Sequence, residues 1–261
     1  MVDPRREALR ILADCLGTSV GDVLSWQELP VRPSDAAAFE RLIQRRAAGE
    51  PLAYVTGLAG FRRLTLHSDR RALIPRPETE GLVDLVLQRC PGGTVADIGT
   101  GSGCIALALA DEGRFRLVVA LDRSRESLNL ARENAGLTSL KVALIRGDLT
   151  SAFGACSLDV VVSNPPYLAQ GEYDSLDPSV RDWEPAPALV SGEDGLSATS
   201  RLLEDAFRVV RGGGWIALEV DSNRAGETAR RALASGWETA DIHNDLYGRE
   251  RYLLARRSNE L

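Results

Sequence analysis

The chain has 261 residues, and it is poor in the residues that hold metals or staples. Cys15, Cys90, Cys104 and Cys156 are scattered with no CxxC pair, so neither a zinc site nor a disulfide framework is expected. Only two histidines are present, His67 and His243; they stand far apart and read as structural or surface residues. No apolar run approaches the roughly 20 residues of a membrane span. The opening MVDPRREALR lacks the apolar core of a signal peptide, so a cytoplasmic protein is expected. There is no positive excess either. A formal charge of -6 argues against a general polyanion binder. What is there is an ordinary soluble composition, 44% hydrophobic and 26% charged. The length allows one large domain, or a medium one with a small companion.

Residues 1–56 read as helices. PRREALRILADCLG puts Leu9, Leu12 and Leu16 on one face, and Gly17 closes the helix. SDAAAFERLIQRRAAGEP has Phe39, Leu42, Ile43 and Ala47 at helical spacing, Ser34 as the expected N-cap, and Gly49 and Pro51 as a stop. Each helix leaves an apolar face, so a small bundle is expected. Arg41, Arg45 and Arg46 fall on the polar face, either solvated or facing a partner. Residues 57–77 alternate like a β-hairpin, with Ser68-Asp69 as the turn-like break, and read as a linker. From 78 to 261, strand and helix patterns alternate. Runs of Val, Ile, Leu and Ala within repeated βα units imply a mainly parallel sheet covered on both faces. Ligands of such sheets bind beyond the carboxyl ends of the strands.

The first strand end is ADIGTGSGCIA. Gly99, Gly101 and Gly103 allow unusual dihedrals and close backbone approach, although a tight strand-to-helix turn alone would also use them. The spacing is GxGxG. The dinucleotide fingerprint would need its third glycine where Cys104 stands, and no Gly-Lys-Ser/Thr follows, so a phosphate ligand is not favoured. The second strand ends in Asp122, placed to accept from two ribose hydroxyls, or else simply an acid at a helix N-terminus. The third ends near Asp148, which could accept from an adenine amino group. A backbone loop, a ribose ligand and a base ligand describe an adenosine without phosphate. S-adenosylmethionine is the expected cofactor, leaving S-adenosylhomocysteine.

The fourth strand ends in Asn164-Pro165-Pro166-Tyr167. Asn164 offers a side-chain carbonyl, and Pro165 a main-chain carbonyl on a restricted backbone. Tyr167 offers a ring face. That set fits a planar NH2 group, with both hydrogens accepted and the plane packed on an aromatic. The plainer alternative is a rigid turn with a buried tyrosine.

GEPLAYVTG (49–57), LIPRPETE (73–80), ADIGTGSGCIALALA, SNPPY and EPAPALVSGEDGL (184–196) together resemble the HemK/PrmC family of bacterial release-factor glutamine methyltransferases, in that family's order. NPPY alone is shared with enzymes that methylate adenine; IPRPETE and GEPLAY narrow the choice. The resemblance implies a small N-terminal all-helical domain, a β-hairpin linker and a Rossmann-like, seven-stranded class I methyltransferase domain. It implies transfer of a methyl group to the side-chain amide nitrogen of the glutamine in the GGQ motif of class-1 peptide chain release factors. By position, Gly99, Thr100, Gly101, Ser102 and Gly103 would cradle the cofactor and Asp122 would hold its ribose. Asp148 and Leu149 would lie near the adenine, although family members often carry an aromatic in place of Leu149. Asn164, Pro165, Pro166 and Tyr167 would hold the glutamine, with Asn164, Pro165 and Tyr167 as the catalytic residues and Asn164 also touching the cofactor. Glu219 matches the family's pattern, but Asp221 to Arg224 depart from it.

An N6-adenine methyltransferase acting on DNA or RNA is the alternative, with a flipped or single-stranded base as target. The charge of -6 and the acid-rich LAQGEYDSLDPSVRDWEPAP after NPPY favour a protein substrate over nucleic acid. A dinucleotide oxidoreductase lacks the right glycine spacing. A non-catalytic cofactor-binding module would have no need of an intact NPPY.

Overall fold

The computed structural model describes residues 3–26, 31–90 and 92–259. Helix α1 (Pro4–Leu16) starts on Asp3, whose carboxylate accepts from the amides of Arg5 and Arg6, and it ends on Gly17 at φ 64. Helix α2 (Val20–Ser25) carries a capping box between Ser19 and Asp22. Helix α3 (Pro33–Ala47) differs from expectation at its start. Arg32 holds the cap position and Ser34 lies inside the helix. Pro33 explains this: its fixed φ suits the first helical position, where its missing N–H costs nothing. Helix α4 (Leu52–Thr56) comes next. Two of the three polar-face arginines hold this bundle together. Arg46 pairs with Glu7 of α1 at 2.7 Å. Arg45 forks onto Glu50 and also donates to the Tyr54 carbonyl at 2.9 Å.

Strands β1 (Leu58–Phe61) and β2 (Leu64–His67) form the antiparallel hairpin. Its turn is Arg62-Arg63, not Ser68-Asp69, which lie beyond β2. Arg62 takes φ 53 without a glycine. Tertiary partners hold it there. Its amide donates to Glu80 Oε1 at 2.9 Å, and its guanidinium reaches Glu112 and Asp84. Phe61 and Leu66 are fully buried in one core layer with Leu82, Val86 and Leu107, so the hairpin packs against the C-terminal α/β region rather than being strung beside it.

Besides a 3-10 turn at Ala186–Ala188, the remaining elements are α5 (Pro77–Arg89), β3 (Gly93–Ile98), α6 (Cys104–Glu112), β4 (Phe115–Asp122), α7 (Arg125–Thr138), β5 (Ala143–Arg146), β6 (Leu158–Ser163), α8 (Gln170–Tyr173), α9 (Pro178–Arg181), α10 (Ser197–Val209), β7 (Val210–Glu219), α11 (Ala225–Ala234), β8 (Thr239–Asn244) and β9 (Glu250–Arg256). The short helices α8 and α9 lie where no element was expected. Strand β7 starts four residues before GWIALEV.

Seven strands form one sheet in the order β5-β4-β3-β6-β7-β9-β8. The first five are parallel neighbours; β9 runs antiparallel to both β7 and β8. One apolar layer, with Leu82, Val86, Leu107 and Leu109 from α5 and α6, covers one face. A second, with Leu202, Leu203, Ala206 and Ala232 from α10 and α11, covers the other. The order of connection across the sheet reverses between β3 and β6. The carboxyl ends of those two strands therefore flank the crevice where such sheets bind ligands.

Candidate functional site

That crevice is a cavity of about 460 Å³. The loop after β3 forms one wall. Gly99, Gly101 and Gly103 all take positive φ, at 73, 57 and 85. The amides of Gly99 and Thr100 donate back to the Leu121 carbonyl of β4, at 2.8 and 3.0 Å. Beneath the loop, the fully buried Asp97 accepts from Thr100 Oγ1 at 2.6 Å and from the Ala106 amide at 3.2 Å, while its Oδ1 has no partner among the described residues. Burial pushes this carboxyl up to about 7, against the pull of those two donors.

Gly99, Thr100, Gly101 and Ser102 line the cavity, but Gly103 is not among the lining residues. A Cβ on Gly103 would stand 3.2 Å from Ala131 Cβ, so this glycine serves the close approach of the loop to α7. At Gly99, a Cβ would meet nothing within 4 Å.

Asp122 closes β4 and lines the cavity. Its Oδ2 accepts from the Gly101 amide at 3.0 Å and its Oδ1 from the Ser124 amide at 2.8 Å. Asp122 thus organises both the glycine loop and the start of α7. Each oxygen keeps a second lone pair. Asp148 and Leu149 also line the cavity. Asp148 pairs at 3.1 Å with Arg201 of α10, both side chains more than half exposed. Leu149 takes φ 47 and packs on the apolar layer below.

The opposite wall is the end of β6. Ser163 Oγ donates to the Ile98 carbonyl at 2.6 Å and locks the two strand ends together. Asn164, Pro165 and Pro166 line the cavity; Tyr167 is not among the lining residues. Tyr167 is half-buried, and its hydroxyl is pushed up to about 12, by burial first and then by the nearby Glu219. The amide of Asn164 is not loose. Its Nδ2 donates to Thr79 Oγ1 at 3.1 Å, and Thr79 Oγ1 donates to Glu219 Oε2 at 2.6 Å. The Pro165 carbonyl accepts no hydrogen bond among the described residues.

Two further features shape the mouth. The Leu168 amide donates to Leu189 and the Ser191 amide to Leu168, which closes residues 168–191 into a loop that brings Pro185, Pro187, Ala188, Val190 and Ser191 to the cavity lining. Glu184, buried, accepts from the Ile74 amide at 3.1 Å and pairs with Arg76, so this loop is bolted to the segment before α5. Thr79, Arg76 and Glu184 all lie in segments that carried the resemblance. No local pattern marked them as site residues, because their partners are 85 to 140 positions away in sequence.

The residues fit S-adenosylmethionine. An open backbone cradle at Gly99, acceptors left at Asp122 and an apolar floor at Leu149 suit an adenosine without phosphate.

Comparison with known proteins identifies the family. The methyltransferase small domain matches residues 78–177, and the PrmC N-terminal domain matches residues 2–57. The release factor glutamine methyltransferase of Nitratidesulfovibrio vulgaris is 37% identical, over 98% of this chain and 89% of its own. That of Deinococcus radiodurans is 38% identical, over 98% and 92%. Among solved structures, a methyltransferase from Pyrococcus furiosus shares the fold with a TM-score of 0.59 at 19% identity, covering 85% of this chain and 99% of that one. A ribosomal protein L11 methylase from Lactobacillus delbrueckii subsp. bulgaricus does so with 0.51 at 21%, covering 71% and 81%. With relatives this similar along nearly its whole length, the chain belongs to the release factor glutamine methyltransferase family.

Proposed function

We propose that the protein transfers the methyl group of S-adenosylmethionine to the side-chain amide nitrogen of the glutamine in the GGQ motif of class-1 peptide chain release factors. The observation that carries this is the wall at the end of β6. Among the described residues, neither Asn164 Oδ1 nor the Pro165 carbonyl accepts a hydrogen bond, and both residues line the same cavity as the glycine loop and Asp122. Two adjacent acceptors on a rigid backbone call for a planar NH2 group. Similarity along nearly the whole chain to release factor glutamine methyltransferases supports glutamine as its source.

Bound S-adenosylmethionine supplies an electrophilic methyl group. Gly99 to Ser102 would cradle it, and Asp122 would hold its ribose. The chain's own residues then solve a nucleophile problem. An amide nitrogen is weak because its lone pair is shared with its carbonyl. Asn164 Oδ1 and the Pro165 carbonyl accept its two hydrogens and fix its direction. They also stabilise positive charge as it grows on that nitrogen, which favours the transition state over the ground state. Holding the two reactants in line contributes up to about 7 kcal/mol or more. A strong base is unnecessary before attack, since the methylated amide sheds its proton readily. Neither His67 nor His243 is among the lining residues.

The test is direct. The protein is incubated with methyl-labelled S-adenosylmethionine and a class-1 release factor, and separately with an adenine-containing duplex. Mass spectrometry then locates the label. It is expected on the GGQ glutamine. Label only on adenine overturns the reading.

A further inference from the structure

Asn164, Thr79 and Glu219 come from three separate elements and meet in a chain of two hydrogen bonds. Thr79 lies in the first turn of α5, Glu219 ends β7, and Asn164 comes directly after β6. Thr79 and Glu219 are both about 2% exposed. Both are polar groups in a buried place, and the proposed methyl-transfer chemistry uses neither.

The chemistry of the chain has a direction. A threonine hydroxyl has one proton. An ionised carboxylate accepts only, so at 2.6 Å from Glu219 that proton is committed to the carboxylate. The Thr79 oxygen can then only accept. It must face the NH2 end of the Asn164 amide, as it does at 3.1 Å. The flipped amide would set two acceptors against each other. With Nδ2 turned to Thr79, Oδ1 is the end left for a ligand. A substrate NH2 needs that end; the flipped amide would present donors to donors.

We propose that Thr79 and Glu219 are positioning residues, which fix the Asn164 side chain in the single orientation that accepts a substrate N–H. The proposal rests on the amide-methylating reading of the site. Protonation of Glu219 would undo the arrangement. A protonated carboxyl can donate to Thr79, whose proton is then free to bond Asn164 Oδ1 and stabilise the flipped amide. Burial holds the Glu219 carboxyl up at about 6, opposed by its bond from Thr79 and by Arg251 and Arg76, and reinforced by Glu78. Tyr167 and Tyr252 also feel the Glu219 charge, and burial keeps both in the neutral form near pH 7. Protonation of Glu219 as pH falls through about 6 therefore releases the orientation, and kcat falls with it.

The test measures kcat for release-factor methylation between about pH 5 and pH 9, with cofactor and release factor saturating. Wild type first has to methylate the glutamine; failure there sinks the amide-methylating reading, and this proposal with it. Given activity, an acid limb near pH 6 is expected. Glu219→Gln should flatten that limb and lower kcat by up to about 100-fold, since the gain from alignment is lost. Thr79→Val should behave the same way. Thr79→Ser, which restores the hydroxyl, should recover both kcat and the limb. Cofactor affinity should stay near wild type in all three. A wild-type profile in Glu219→Gln, or near-wild-type kcat in Thr79→Val, overturns the positioning role while leaving the reaction itself intact. A Thr79→Ser variant as inactive as Thr79→Val also overturns it, because it would make the role one of packing.

Discussion

Asn134 of α7 grips the main chain of His67 at both ends, accepting from its amide at 2.7 Å and donating to its carbonyl at 3.1 Å. The same side chain donates to the Ser102 carbonyl at 2.9 Å. One fully buried amide thus ties the hairpin and the glycine loop to a single helix. Asn134→Leu leaves three main-chain groups without partners. It should cost about 3 kcal/mol or more, since each buried unpaired group carries its own desolvation penalty. The melting temperature should fall by roughly 6–12 °C. Calorimetry checks the first effect. Isothermal titration with S-adenosylmethionine should show weaker binding, since the Ser102 carbonyl belongs to the loop.

The two walls of the cavity should separate kinetically. Asn164→Ala removes the acceptor proposed to act on the reacting nitrogen, so kcat should fall by about 100-fold or more, with cofactor binding nearly unchanged. Asp122→Ala removes the charged acceptor proposed to hold the ribose, and loosens Gly101 and Ser124. Cofactor affinity should fall by about 10-fold or more. Equal loss of cofactor affinity in both variants would contradict the division.

Gly99 and Gly103 share the left-handed backbone but should fail differently. Alanine at either site carries about 1–2 kcal/mol of backbone strain. At Gly103 the added methyl also presses on Ala131 at 3.2 Å, so stability should fall further. At Gly99 the methyl points into open space within the site, so cofactor affinity should fall instead. Paired melting and cofactor titrations read the contrast.

Asp97 predicts an unusual pH dependence. Its folded-state value, about 7, lies above the ordinary carboxylate range because of burial. A group raised on folding stabilises fully below its unfolded pKa, and that stability is lost as pH rises through the folded value. Between about pH 4 and pH 7, Asp97 should therefore cost up to about 1.4 kcal/mol per pH unit. Subtracting the stability profile of Asp97→Asn from that of wild type isolates this slope. A difference that is flat over the window would refute it.

The strand ends were legible from the sequence because parallel βα units are local. Each apolar run announces its strand, and the residue after it is already at the binding edge. Gly99, Asp122 and Asn164 reach the cavity for that reason alone. The hairpin strands were legible by alternation, but its turn was not. Arg62 bends the chain with charges contributed by Glu80, Asp84 and Glu112. Likewise, Gly103 shares the motif of its neighbours yet serves packing, and Tyr167 shares NPPY yet lies outside the cavity lining. The sequence by itself determined which chemical groups stand at the carboxyl edge, because strand order along the chain fixes them. Only the tertiary structure decided which way they face. The Asn164 amide bonds a hydroxyl 85 residues away, which bonds a carboxylate 140 residues beyond it, and hydrogen bonds over such separations exist only once the sheet has closed.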